Sequence, residues 1–404
     1  MLRRVLSTEG ILCLLVLVAS SGLVAQELAP GNPGLEAWLD RSPFSGKTAS
    51  RVSAPWGDLD INFLPLESSE VIFPDRSERL RKPSWFFPSK SLAQVTNFIE
   101  SLNLTGPARK ELLETANWQQ VSNVWKINPT IDTIRQLDAS SRDALYTVLA
   151  KHPANYNQRF PIRFTPTNFV ERFAASKLTS AQLSEVRALC YTNLGYIAFC
   201  DFETLQSRFD GPAFDQLIKV LYSLPSVQVN LKISPKTDID GLVKYWGKNQ
   251  KEARIRPLLE SVARNPLGGE IDILSLLPPF PRLHLYTFPE AGEETIEGKI
   301  DCFISGLNFF NAQPDVRFLD AEVRRQTIDN DYYAIETNPT FGDLFMLLND
   351  KGVAVHMAVY IADNIVFTKN GLSARQPWCF MRIPDMMTYY PSTTPLKLVF
   401  LRHK

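Results

Sequence analysis

The stretch GDLFMLLNDKGVAVHMAVYIADNIVFTKNG, residues 342–371, decides the reading of this chain. It carries the apolar runs LFMLLN, AVHMAVYIA and IVFTK, broken by short polar segments, which is the pattern of neighbouring antiparallel strands. In VAVHMAVYIAD the alternation sets His356, Ala358 and Tyr360 on one face, and Met357, Val359 and Ile361 on the other. His356 stands beside the small Ala358, with room for a helix start to approach. WCFMRI and LKLVFLR downstream add two further strands.

Upstream lies Asp301-Cys302, followed by FISGLNFF, which reads as a polar helix start leading into a buried helix. A helix followed by antiparallel strands is an α+β layout, with the helix packed on one sheet face. A cysteine attacks as its thiolate, which the positive end of a helix and a neighbouring imidazolium both favour. Cys302 as nucleophile and His356 as general base are therefore the pairing that thiol catalysis requires. A third group should accept a hydrogen bond from the imidazole and fix its tautomer. A three-residue hairpin loop, Ala362 to Asn364, pairs Ala358 with Thr368 and turns Thr368 and Asn370 toward His356. A two-residue loop presents Lys369 instead, and lysine offers only donors. Thr368 or Asn370 is the expected orienting residue.

Residues from about Tyr286 to the C-terminus resemble the NlpC family of papain-like cell-wall cysteine peptidases. The resemblance rests on Asp301-Cys302, Gly342-Asp343-Leu344 and His356-Met357-Ala358-Val359-Tyr360-Ile361, in the family's order and at comparable spacing. It implies a papain-like fold, cell-wall peptides as the substrate, and Tyr286 as a contact near the oxyanion site. Phe303-Ile304 stand where the family carries Ser-Gly, and Ser305-Gly306 follow two residues late.

The rest of the chain bounds these expectations. At 404 residues with 45% hydrophobic content it is long enough for two or more cores. Lys+Arg and Asp+Glu balance at 43 each, so no broad basic surface argues for nucleic acid, and the cluster Arg79-Leu80-Arg81-Lys82 is short. The first 25 residues have an export signal's layout: Arg3-Arg4, an apolar run from Ile11 to Ala19, and small residues ending at Val24-Ala25. That run is shorter than the roughly 20 residues that span a bilayer. Removal of residues 1–25 leaves an exported protein, periplasmic or extracellular, with no stable membrane span. It also leaves Cys190, Cys200, Cys302 and Cys379, an even number that permits disulfides.

Residues 26–90 are rich in Pro and Ser and read as extended chain. Residues 91–280 read as a mostly helical domain, with SVQVNLKIS as a strand within it and no fixed-period repeat. The proline-rich LLPPFPRLHLYTFP, residues 276–289, sets a boundary near 280, and residues 281–404 form the NlpC-like domain. His152 and His284 have no companions at metal-ligand spacing, Asp331, Asp343 and Asp350 read as turn residues, and no Gly-rich phosphate loop occurs. Neither a metal nor a cofactor is expected. The function expected is an exported cysteine hydrolase acting on cell-wall amide bonds. The alternatives are acyl transfer or deamidation by the same pair, or a non-catalytic envelope scaffold that keeps the fold.

Overall fold

The computed structural model describes residues 26–28, 54–67, 82–88, 91–249, 251–290 and 297–404. The export segment expected over 1–25 and the first three residues of the basic cluster lie outside them. The chain is a mixed α+β protein with antiparallel sheets. It divides into two compact units. One takes the described residues before position 70 together with Leu224–Lys404, and opens with β1 (Gln26–Leu28) and β2 (Asp58–Leu66).

The other unit takes the chain to Ser223 and is built twice from one plan. Its first half runs β3 (Trp85–Phe87), α1 (Leu92–Glu100), α2 (Gly106–Leu113), β4 (Trp118–Val121), β5 (Val124–Ile127), α3 (Ile131–Gln136) and α4 (Ala139–Leu149). After a short helix, α5 (Tyr156–Arg159), the second half repeats it. It runs β6 (Ile162–Phe164), α6 (Pro166–Ala174), α7 (Ser180–Ala188), β7 (Tyr191–Asn193), β8 (Tyr196–Phe199), α8 (Phe202–Gln206) and α9 (Gly211–Tyr222). The two small sheets share one strand order, β3-β5-β4 and β6-β8-β7. Both hairpins turn through a non-glycine residue at positive φ, Ser122 in one and Leu194 in the other. Both closing helices are capped by aspartate, with Asp138 accepting from the Ser141 N–H and Asp210 from the Ala213 N–H. No repeat was expected from the sequence, because the copies keep apolar positions and caps while most residue identities differ. SAQLSEVRALCYTNLG, expected as one helix, breaks after Ala188 into α7 and β7.

Within this unit Arg142 is wholly buried. Its guanidinium meets Asp201 at 3.1 Å and donates to the carbonyls of Ile134, Leu137 and Ala188, while the Tyr146 hydroxyl donates to the second Asp201 oxygen at 2.6 Å. The network joins α4 of the first half to the start of α8 in the second. Cys190, Cys200, Cys302 and Cys379 all carry free thiols.

The first unit resumes at β9 (Leu224–Ile233), the strand expected in SVQVNLKIS, which pairs with β2 and with β10 (Gly269–Asp272). Helices α10 (Ile239–Trp246), α11 (Glu252–Ala263) and α12 (Pro279–His284) accompany this sheet. The remaining elements are α13 (Cys302–Leu307), α14 (Ala321–Asp331), β11 (Tyr332–Ile335), β12 (Leu344–Leu348), β13 (Ala354–Ala362), β14 (Ile365–Lys369), β15 (Trp378–Arg382), α15 (Ile383–Met387) and β16 (Leu396–His403). The larger sheet runs β1-β16-β12-β13-β14-β15, with β11 also on β16.

One hydrophobic core runs from Val227 on β9 through Phe280 and Ile304 to Leu401 on β16. The domain boundary therefore falls at Ser223/Leu224, not near 280. The proline-rich stretch is not a linker. Pro279 opens α12, Leu276, Leu277 and Phe280 are buried, and Tyr286 and Thr287 exchange backbone hydrogen bonds with Trp378 on β15. Within the segment expected to be extended, residues 58–66 form a regular strand of this unit. Among the described residues no helix is long and apolar enough to cross a membrane.

Candidate functional site

Asp301 starts α13. Its extended backbone and its Oδ1, which accepts from the Ile304 N–H at 2.8 Å, make it the N-cap and leave Cys302 in the first helical turn. The helix lies on β13 and β14. A side chain at Gly306 would strike the Met357 Sδ at 2.7 Å, so Met357 points at the helix and glycine is what permits the approach. Cys302, Ile304, Met357, Val359 and Ile361 accordingly share one core. The helix therefore packs on the Met357 face of β13, and His356 projects from the opposite one. The space beside Ala358 is not where the helix start enters.

On that opposite face the expected hydrogen-bonded partners do meet. Val359 pairs with Phe367, the register in which Ala358 faces Thr368. It arises differently from expectation: the turn is two residues, Asp363 and Asn364, with Asp363 at positive φ, and an extra residue at Ile361 restores the parity. The His356 Nε2 lies 2.9 Å from the Thr368 hydroxyl, which donates to Asn370 Oδ1 at 3.4 Å. With the hydroxyl donating onward, Nε2 carries the ring hydrogen and Nδ1 presents its lone pair. Nδ1 is buried and has no hydrogen-bond partner. Tyr390, after α15, stacks on the imidazole with ring centroids 4.3 Å apart and reaches Asn370 Oδ1 at 3.4 Å.

No hydrogen bond joins His356 to Cys302, yet the two come to one seam from its two sides. The β13–β14 ladder stops at Val359 and Phe367, and the Met357 backbone N–H beyond it acts on the Cys302 sulfur, drawing its pKa down. The thiol thus meets the peptide that follows His356. Tyr390 bridges further: its ring covers His356, while its hydroxyl feels the charges of Cys302 and Asp301.

Burial dominates the electrostatics. Cys302 is 6% exposed and His356 0%. Burial, and then the Asp301 charge, push the Cys302 thiol up to about 12, against the pull of the Met357 and Phe303 N–H groups and of Lys369. Burial alone lowers His356 to about 3, so the imidazole is neutral. Burial also lowers Lys369 to about 8, opposed by the charges of Cys302 and Asp301. Lys369 does not orient the histidine. It lies on the helix side instead, paired with Trp378, with Nζ 5.6 Å from the centre of that ring.

Tyr286 is not brought to the thiol. Its hydroxyl donates to the Val227 carbonyl at 2.7 Å, its N–H donates to the Trp378 carbonyl, and its ring meets Phe380 edge-on. It ties β9 to β15. Asp343 of the Gly-Asp-Leu motif is buried and held by Arg402 and Lys248, so its charge fastens the start of β12 to the end of β16. Tyr390 is the residue that sequence reasoning missed, and Lys369 is one that it weighed only as a partner of His356 and set aside. The only signal for Tyr390 is two tyrosines ahead of Pro391, and for Lys369 it is a charge inside an apolar strand. Among the described residues no three His, Cys, Asp or Glu side chains gather into a metal site. No family model matches the chain, and no curated protein or solved structure matches it.

Proposed function

We propose that the C-terminal part of the chain is a papain-like, NlpC-type cysteine hydrolase acting on amide bonds of cell-wall peptides in an exported protein. The observation that carries this reading is the state of His356. Its Nε2 is committed to Thr368, leaving Nδ1 as the one unpartnered ring nitrogen, and the next peptide contacts the Cys302 thiol.

In the proposed reaction substrate binding brings the Cys302 sulfur and His356 Nδ1, which reach the seam from opposite faces of β13, into contact; the thiol proton then passes to Nδ1, and the thiolate adds to the amide carbonyl. The Cys302 backbone N–H, in a first helical turn where helix geometry supplies no acceptor, is positioned to donate to the resulting oxyanion. Collapse breaks the C–N bond, and the imidazolium returns its proton to the departing amine. Water, deprotonated by the same imidazole, then opens the thioester to a carboxylic acid and the free thiol. Thr368 keeps the ring in the required tautomer throughout.

A second reading, a non-catalytic envelope module, is favoured by the sealing of both groups and by a thiol held up near 12. Digestion of purified cell wall by wild type and by Cys302→Ala, with fragments compared by mass spectrometry, separates the two. The hydrolase reading expects fragments from wild type that the variant does not release. Identical fragment patterns assign the module reading instead.

A further inference from the structure

Lys369 is the only lysine among the described residues that is buried, at 0% exposure. An ammonium removed from water costs several kcal/mol unless its charge and its donors are satisfied. Its Nζ donates to the Gly371 carbonyl at 2.6 Å and to the Ser373 carbonyl at 3.4 Å, and it stands over the Trp378 ring. These are neutral partners, and among the described residues no carboxylate lies within ion-pair distance of it. An ammonium has three donors, so one remains to be used.

Three contacts fix where that charge is held. Lys369 pairs with Trp378 on β15, and the Trp378 indole N–H donates to the Ser305 hydroxyl of α13 at 2.8 Å, one helical turn from Cys302. Continuing the Val359–Phe367 register by two residues sets Lys369 across the seam from Met357, whose N–H acts on the Cys302 sulfur. The pleat puts the Lys369 side chain on the α13 face, opposite to Thr368 and His356. The two acidic groups whose charge acts on it are those of Cys302 and Asp301, and Asp301 is already engaged as the helix cap.

We propose that the Lys369 ammonium is the counter-ion of the Cys302 thiolate: it holds the nucleophile's negative charge while His356 handles the proton. The catalytic meaning of this role rests on the hydrolase reading, but the electrostatic pairing does not. Lys369 is a positioning residue. The other titratable groups facing the seam are Asp301 ahead of α13, His356 on β13 and Tyr390 after α15, with Arg324 of α14 acting on Asp301 and Cys379 of β15 acting on Tyr390. Since burial brings Lys369 down to about 8, its charge is present below that pH and fades as pH rises through it.

The test is the pH profile of Cys302 alkylation by iodoacetamide in the native full-length protein, resolved by peptide mass spectrometry, for wild type, Lys369→Met and Lys369→Arg. A loss of one pKa unit of stabilisation is a tenfold loss of thiolate. Lys369→Met is expected to raise the apparent pKa of Cys302 by about one unit or more and slow its alkylation near neutral pH about tenfold, with Lys369→Arg staying close to wild type. In wild type itself, the rate of Cys302 alkylation relative to Cys379, a buried thiol with only burial acting on it, is expected to fall as pH rises through about 8 and Lys369 loses its charge, and this comparison needs no variant to fold. A Lys369→Met profile that superposes on wild type overturns the proposal, as does a wild-type ratio of Cys302 to Cys379 alkylation that stays constant through about pH 8. Wall digestion by Cys302→Ala is read separately. If the profile shifts while wild type releases no fragments, the counter-ion stands and the hydrolase reading falls. An unmoved profile with Cys302-dependent digestion gives the reverse.

Discussion

Replacing His356 by glutamine should remove an acid sensitivity from the Cys302-bearing unit, and the size of that change can be worked from the structure. The buried imidazole is held neutral to about pH 3, whereas in the unfolded chain it takes up a proton near 6.5. Its folded pKa is depressed, so the stability it contributes is complete above 6.5 and is lost as pH falls, because only the unfolded state binds the proton. Between pH 7 and 5 the loss amounts to about 2 kcal/mol, and between pH 7 and 4 to about 3 kcal/mol. His356→Gln offers Thr368 an amide partner and cannot titrate in this range. It also loses the stack on Tyr390, so its stability at pH 7 will be lower, but that deficit is independent of pH. The carboxylates titrate alike in both proteins and cancel in the difference. The measurement is urea unfolding at pH 7, 5 and 4, with deuterium pulses at a common pD and readout on peptides from residues 354–369, so that the Val71–Ser223 unit does not contribute. The gap between wild type and variant should shrink by about 2 kcal/mol from pH 7 to 5. Parallel stability curves for the two proteins would refute a neutral, buried His356.

Two further predictions concern the helix cap and the duplicated unit. Asp301→Asn keeps an acceptor for the Ile304 N–H but no longer carries a carboxyl that burial holds above its usual range. Such a raised carboxyl favours folding below its unfolded pKa and loses that contribution as pH climbs through the folded one. At pH 7 the Asp301→Asn variant should therefore be at least as stable as wild type, while Asp301→Ala loses about 1–2 kcal/mol with the cap. Equal urea midpoints for the two variants would remove the argument. Arg142→Ala strands the buried Asp201 and three carbonyls, so the Val71–Ser223 unit should lose about 3–5 kcal/mol by the same pulse assay on residues 131–149. Arg256→Ala, which breaks an exposed pair with Asp240, should barely register, and comparable losses for the two would show that the buried network carries no special weight.

The C-terminal strands were legible because each is a short apolar run between turns, and all five occur where the alternation put them. The partnership of His356 with Thr368 was legible too, since parity along two strands depends only on the register, and the bulge at Ile361 left that parity as a three-residue loop would. The domain boundary was not legible, because proline serves equally as a linker residue and as the first residue of a helix, and only burial of Leu276, Leu277 and Phe280 tells them apart. The duplication left a trace that could have been found. Asp138, Asp143, Leu145, Val148 and Leu149 recur at one constant interval as Asp210, Asp215, Leu217, Val220 and Leu221, a cap with its apolar stripe.

What alternation cannot supply is the side of the sheet on which a helix settles. His356 and Met357 were separated correctly onto two faces, and the small Ala358 suggested that the helix came to the histidine's. The deciding residue was Gly306, whose missing side chain lets α13 close on Met357. Cys302 and His356 then stand on opposite sides of the strand, and what links them is the peptide between His356 and Met357. Where the β13–β14 ladder stops at Val359, the Met357 N–H is left without a strand partner inside the core, and a buried donor must find an acceptor. The Cys302 sulfur is the group on which that N–H acts. A cysteine at this position therefore has a structural reason to be there in addition to any nucleophilic one. Cys302→Ser preserves an acceptor for Met357 where Cys302→Ala leaves the N–H unsatisfied, so a stability difference between these two variants isolates the structural share of the residue from its chemistry.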